Sequence, residues 1–121
     1  MAARWPDDVR GDANFHRSSW HYVNLPLVAP TDSVTPPPTV SGELLTVFPR
    51  VTAALRDDGT PAPQKAIALC WLLHLTGDIH QPLHAVALFS GQYPEAARGG
   101  TLFWIRPGLV DRPLTPHGIS D

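Results

Sequence analysis

His74, Asp78, His80 and His84 fall inside eleven residues of one stretch, LCWLLHLTGDIHQPLH, which runs from Leu69 to His84. Imidazole nitrogens and a carboxylate at this density, beside an apolar run, are a donor set for a transition metal, and their composition suits zinc. On a helix, residues four apart lie one turn from each other on one face, so His74 and Asp78 can reach the same ion. His84 stands ten positions beyond His74, about 80° round an ideal helix. Pro82 lacks an N–H and clashes with the carbonyl of Asp78, so the helix should bend or end near it and turn His84 elsewhere. The expectation is one cluster serving two metals. A single histidine near an apolar helix is more often packed or solvated than a ligand. It is the joint pattern, HxxxD and then HxxxH across a glycine and a proline, that points to a metal.

A second concentration of donors opens the chain. Asp7, Asp8, Asp12, His16 and His21 lie within ARWPDDVRGDANFHRSSWHYVN. WPDDVR has a plausible helix start, with Pro6 at the first helical position and two aspartates at its positive end, and the carboxylates could simply complement the helix dipole. The tail ends on His117 and Asp121, again four apart and weak evidence by themselves.

These residues need elements to hold them. HYVN reads as a short extended run by its aromatic and β-branched content. From Leu25 to Ser41 the chain is proline-rich and without helical period, a loop or surface excursion. In GELLTVFPRVTAALRDDG, Leu44, Val47, Phe48, Val51, Ala54 and Leu55 recur at threes and fours, which predicts an amphipathic helix ended by Gly59 and kinked at Pro49. The next helix has Pro63 in its first turn, and its apolar residues Ile67, Leu69, Trp71, Leu72 and Leu75 wrap most of the circumference, which predicts burial. A buried helix suits ligands because packing holds them to the narrow geometry that a metal requires. Beyond His84 the sequence breaks into loop, with LFWI as a short strand candidate.

At 121 residues the chain is one domain at most, and 43% hydrophobic with 17% charged residues fits a globular protein. Its 14 prolines imply much irregular chain. The net charge of −2 lacks the basic bias of proteins that hold nucleic acid by lysine and arginine. Cys70, the single cysteine, excludes an intramolecular disulfide. No run is long enough to span a bilayer, and nothing after Met1 reads as a signal peptide, so neither a membrane anchor nor an export signal is expected. No protein partner is evident.

HLTGDIHQPLH resembles the hallmark of the zinc-dependent single-strand-specific nucleases and 3′-nucleotidases of the S1/P1 type. WPDDVR is similar to that family's Trp-Ala-Asp-x-x-Arg segment, WHYVN to its Trp-His-Tyr/Phe element, ARGG to its Arg-Gly-Gly loop and HGISD to its His-x-x-Trp-Asp motif. All five stand in the family's order. The resemblance implies a mainly helical, all-α fold of the phospholipase C and nuclease type, with long Pro-rich loops and room for one short hairpin. It implies that residues 1–121 are a single partial nuclease domain, the central part of the family fold. Thr101, Pro116 and Ser120 stand where the family has asparagine, leucine and tryptophan, and its cysteines are missing.

The same resemblance implies the site. Asp7, His21, His74 and Asp78 would hold one zinc, and His84, His117 and Asp121 a second. Asp78 would bridge to a third, whose remaining family ligands have no counterpart in this chain. Arg10 matches an arginine near the phosphate, Tyr22 and Asn24 match positions that help hold a base, and His80 matches a histidine standing behind the ligands. With Asp78 and Arg10 as the catalytic pair, the implied activity is endonucleolytic hydrolysis of single-stranded DNA and RNA, and of 3′-nucleotides, to 5′-phosphate products by a metal-activated hydroxide. The family works outside the cytoplasm, secreted or periplasmic. Two alternatives stand beside this reading: a truncated, inactive zinc-binding fragment, and a zinc phospholipase C-like hydrolase acting on lipid phosphodiesters.

Overall fold

The protein was analysed as a computed structural model that describes residues 2–96 and 101–102. It is mostly helical, as expected, with α1 at Trp5–Asp8, α2 at Leu44–Arg56, α3 at Ala62–His80 and α4 at Pro82–Ala85. Two short strands, β1 at Leu25–Val28 and β2 at Val86–Phe89, form the sheet. The chain divides into two compact units, one of residues 1–23 and 42–80 and one of residues 24–41 and 81–121.

In the first unit α2 packs on α3. The periodic residues of α2 are the ones that go inside, with Leu44, Val47 and Val51 buried against Ala68, Trp71 and Leu75 of α3. Pro49 lies within a single continuous helix rather than between two, on its exposed side, where a missing backbone donor is least costly. The helix ends at Arg56, earlier than Gly59. Asp57 takes over the chain there: its carboxylate accepts from the Gly59 N–H and the Thr60 hydroxyl, each at 3.0 Å. These two bonds, aided by the charge of Lys65, hold the exposed Asp57 carboxyl below its usual range although partial desolvation opposes them. Pro63 sits in the first turn of α3, as expected.

The long helix differs from the expectation in one respect. Ala68, Trp71, Leu75 and Asp78 are its buried residues, while Leu69 and Leu73 remain 45% and 46% exposed. An apolar circumference reports capacity for burial, and packing chose one stripe of it. α3 stops at His80, Gln81 is extended, and Pro82 opens α4, so the break falls where proline predicted it. Among the described residues, no helix is long and apolar enough to cross a membrane.

The second unit corrects two expectations. Leu25–Val28 lies within the presumed Pro-rich loop and Val86–Phe89 within the presumed loop after His84, yet both are strands. They pair parallel, Leu25 with Val86 through Val28 with Phe89, so the sheet is not a hairpin. Parallel strands cannot be joined by a tight turn and need a crossover, which this chain makes through α2 and α3. Pro26 is tolerated because a strand in a two-stranded sheet has an edge whose N–H positions face no partner. LFWI, mostly beyond residue 102, lies outside the described residues.

Candidate metal centre

Four donors come together in the first unit, delivered by three elements. α3 presents His74 and Asp78 one turn apart, with His74 Nε2 at 3.2 Å from Asp78 Oδ2. His21 arrives on a 3-10 turn, Ser18–His21, rather than on the extended run expected there; extension begins at Tyr22. That turn is tied to the start of α2. The Glu43 N–H donates to the Ser19 carbonyl at 2.7 Å and the Leu44 N–H to the Tyr22 carbonyl at 3.2 Å, and the Ser19 hydroxyl donates to the Glu43 carboxylate. Aromatic packing then sets the turn against α3, with Trp20 on Trp71 at 4.8 Å between ring centroids and the His21 ring against Trp71 at 5.2 Å. Asp7 comes from α1, anchored by the fully buried Pro6 beside it.

The distances describe a small polyhedron. His74 Nε2 lies 2.8 Å from His21 Nδ1, and Asp78 Oδ2 is 3.4 Å from His21 Nδ1. Asp7 Oδ1 is 3.9 Å from His21 Nδ1 and 3.8 Å from His74 Nε2. A tetrahedral zinc with ligand bonds of about 2.0–2.1 Å has ligand-to-ligand edges of about 3.3–3.4 Å. The edges that involve the two nitrogens straddle that value. Asp7, His21 and His74 bring three ligand atoms within 4.8 Å of one another, and Asp78 adds a carboxylate oxygen near the two nitrogens. Two nitrogens and two carboxylate oxygens are a donor set that zinc accepts, and the residues fit the group.

The surroundings fit as well. His74 Nδ1 lies 2.8 Å from the Ala3 carbonyl and donates to it, which leaves Nε2 to carry the lone pair in the neutral ring. Ligating histidines are commonly oriented in this way. Burial opposes a charge on His74, but the hydrogen bond and charge of Asp78, the Ala3 carbonyl and the charge of Asp7 outweigh it and hold its pKa above the usual 6.5. Without an ion, a hydrogen bond between His21 Nδ1 and His74 Nε2 joins the two rings. His21 and Asp78 are buried while Asp7 keeps 37% of its side chain exposed, so the centre opens to solvent at Asp7. Arg10 stands at that opening, with Nη2 at 2.6 Å from Asp7 Oδ1.

The remaining expected residues lie as follows. The Tyr22 ring packs against Gly42. In the second unit, Asn24 bridges to Ser41, its N–H to the Ser41 carbonyl at 2.7 Å and its amide to the Ser41 hydroxyl at 3.0 Å. His80 is exposed, with Nδ1 at 2.6 Å from the Thr76 carbonyl of its own helix. His84 is on α4 in the second unit, and His117 and Asp121 lie outside the described residues. Sequence reasoning missed the Ala3 carbonyl, which as a backbone group leaves no trace in residue types, and Trp71, which read only as core. It missed Gly42 too, whose φ of +88° favours glycine.

A family model described as S1/P1 Nuclease matches residues 1–108. That span contains Asp7, His21, His74, Asp78 and His84. No curated protein and no solved structure shows significant similarity to the chain.

Proposed function

Because the chain belongs to the S1/P1 nuclease family, a group of hydrolases acting on nucleic acids, we propose that it is a zinc-dependent phosphodiesterase. Its substrates on this reading are single-stranded DNA and RNA, cut endonucleolytically, and 3′-nucleotides, with 5′-phosphate products. One observation carries the proposal: the His21 and His74 nitrogens stand 2.8 Å apart, with the Asp7 and Asp78 carboxylates at 3.2–3.9 Å from them.

These four residues would hold one zinc, and His84, His117 and Asp121 a second. Zinc, when bound, supplies Lewis acidity that makes a water nucleophilic near neutral pH and favours in-line displacement at phosphorus. The chain's own residues do the rest. Asp78, buried between the two imidazoles, contributes the negative charge that balances a divalent ion and takes the catalytic role. Arg10, exposed at the mouth, offers a forked guanidinium to the scissile phosphate while one of its nitrogens steadies Asp7. Tyr22 follows His21 directly and provides a ring for a base, with Asn24 two positions on. Stacking on Tyr22 favours single strands, because bases in a duplex are already stacked.

The family match crosses both compact units without interruption, which supports reading residues 1–121 as one partial nuclease domain. Family membership also supports a place of work outside the cytoplasm. The test is elemental analysis of the purified chain with hydrolysis of single-stranded DNA, beside its Asp78→Asn variant. Bound zinc and a rate that collapses in the variant are expected. A folded chain that takes up no zinc at neutral pH, equal rates in the two proteins, or hydrolysis of phosphatidylcholine in place of DNA would each overturn the reading.

A further inference from the structure

A groove of about 260 Å³ opens in the first unit, away from the four metal donors, between the Trp20 turn, α2 and α3. Its floor is apolar, made of Val47, Val51, Ala68 and Trp71, and Phe15 and Trp20 supply ring edges or faces. Its rim carries two cations. The guanidinium carbon of Arg50 is 5.6 Å from the centroid of the Trp20 ring and that of Arg17 is 6.0 Å away. Arg17 is steadied by two backbone carbonyls, of His16 at 2.7 Å and Asn14 at 2.9 Å. Neither arginine has a carboxylate partner among the described residues. Two guanidinium groups held beside one indole, in a chain whose net charge is −2, form a local positive patch with no acidic side chain paired to it among the described residues.

An aromatic lining with an arginine rim has the chemistry that takes up a nucleotide, since the phosphate pairs with guanidinium and the base stacks on a ring. The volume is just under the ~300–1,000 Å³ of pockets that bind small ligands, which suits a single nucleotide unit. Trp71 lines this groove and also packs against the His21 ring of the metal centre, so one side chain is common to the surroundings of both sites. We propose that the groove is a nucleotide subsite, in which Arg17 and Arg50 hold a phosphate and the Trp20 region holds its base while another part of the same single strand lies at the metal centre. The proposal rests on the nuclease reading for the identity of the strand, although the groove itself contains no metal donor.

The test is fluorescence titration of the tryptophans with a short oligothymidylate, on the zinc-loaded protein and again after chelation, for the wild type, Arg50→Ala, and the Arg17→Ala/Arg50→Ala double variant. Both arginines are exposed, so circular dichroism and zinc content should not change. Binding should survive chelation. Each arginine removed should weaken it about 3- to 10-fold and lower the slope of log affinity against log salt by about 1. Hydrolysis of a 3′-mononucleotide, which is too short to occupy both sites, should keep its wild-type KM and kcat. Unchanged affinity and salt slope in the double variant would overturn the subsite. So would tighter, arginine-dependent binding of polyglutamate than of oligothymidylate, which would mark a protein-binding patch. A wild type that binds oligothymidylate through these arginines yet takes up no zinc would sink the catalytic reading and leave the subsite standing.

Discussion

Nε2 of His74 lies 2.8 Å from Nδ1 of His21 across 53 positions of sequence. Because His74 gives its Nδ1–H to the Ala3 carbonyl, its Nε2 lone pair faces His21 Nδ1, and the contact holds either as a hydrogen bond from a His21 Nδ1–H or with a metal ion between the two nitrogens. With Asp78 and Asp7 alongside, the ion is the better occupant, because four donors then share one charge. His21→Ala should therefore reduce zinc affinity by more than the ~10–100-fold typical of losing an orienting residue, measured by competition with a chromogenic chelator. His80→Ala should leave affinity unchanged, since that ring bonds the Thr76 carbonyl of its own helix.

The proton and the ion compete, and this sets the pH dependence. His74 has a raised pKa, and its protonated ring cannot ligate. Zinc affinity should be level above that pKa and fall by about tenfold per pH unit below it, for one proton displaced. The metal-free protein should behave in the opposite sense. A group whose folded pKa is raised contributes stability that is fully present below the unfolded pKa of about 6.5 and is lost as pH rises through the folded pKa. Urea melts of the chelated protein should show this component declining above pH ~6.5, and His74→Gln should abolish it.

Arg10 bonds the same Asp7 oxygen that faces the two imidazoles. It therefore orients a ligand as well as standing where a phosphate would enter. Arg10→Ala should lower zinc affinity by about 10–100-fold and raise KM for single-stranded DNA. Arg10→Lys, which keeps the charge but loses the fork, should recover zinc affinity more than KM. Equal recovery of both would mean that the arginine acts only through its charge.

Gly42 shows how closely the His21 turn is fitted to α2. A Cβ there would sit 2.3 Å from the Tyr22 carbonyl oxygen and 2.6 Å from its ring, at a φ of +88°. Gly42→Ala should destabilise the protein by about 1–3 kcal/mol from backbone strain alone, and the forced shift of Tyr22 should lower zinc affinity. Chemical denaturation and the chelator assay check the two effects.

Leu75 is fully buried one position beyond His74. Leu75→Ala should cost about 2–5 kcal/mol through lost burial and the cavity left behind. Because the same turn of α3 carries His74, added zinc should recover part of that loss in thermal melts, by mass action on the folded state.

Much of the site was legible in the sequence wherever the relation between residues is local. The pairing of His74 with Asp78 follows from the 3.6-residue helical repeat, and the structure sets the two atoms 3.2 Å apart. The helix break at Gln81 follows from the covalent form of Pro82. The amphipathic face of α2 was equally plain, because threefold and fourfold spacing of apolar residues is itself the signature of a helix with one buried side.

Relations that span the chain were not legible. LPLV and VALF are short apolar runs that fit loop or strand equally well, and only their mutual pairing made them β1 and β2. α3 is apolar nearly all round, so its sequence could not say that the stripe through Trp71, Leu75 and Asp78 would be the one buried. Asp7 and His21 reached the donor set by motif resemblance rather than by spacing. It was the tertiary structure that brought them to His74, through Pro6 burial on one side and the tilted Trp20–Trp71 contact on the other. The physical reason is that helical register is dictated by bonds a few residues long. The meeting of three separate elements at one point depends instead on how their apolar surfaces fit, which no single segment encodes.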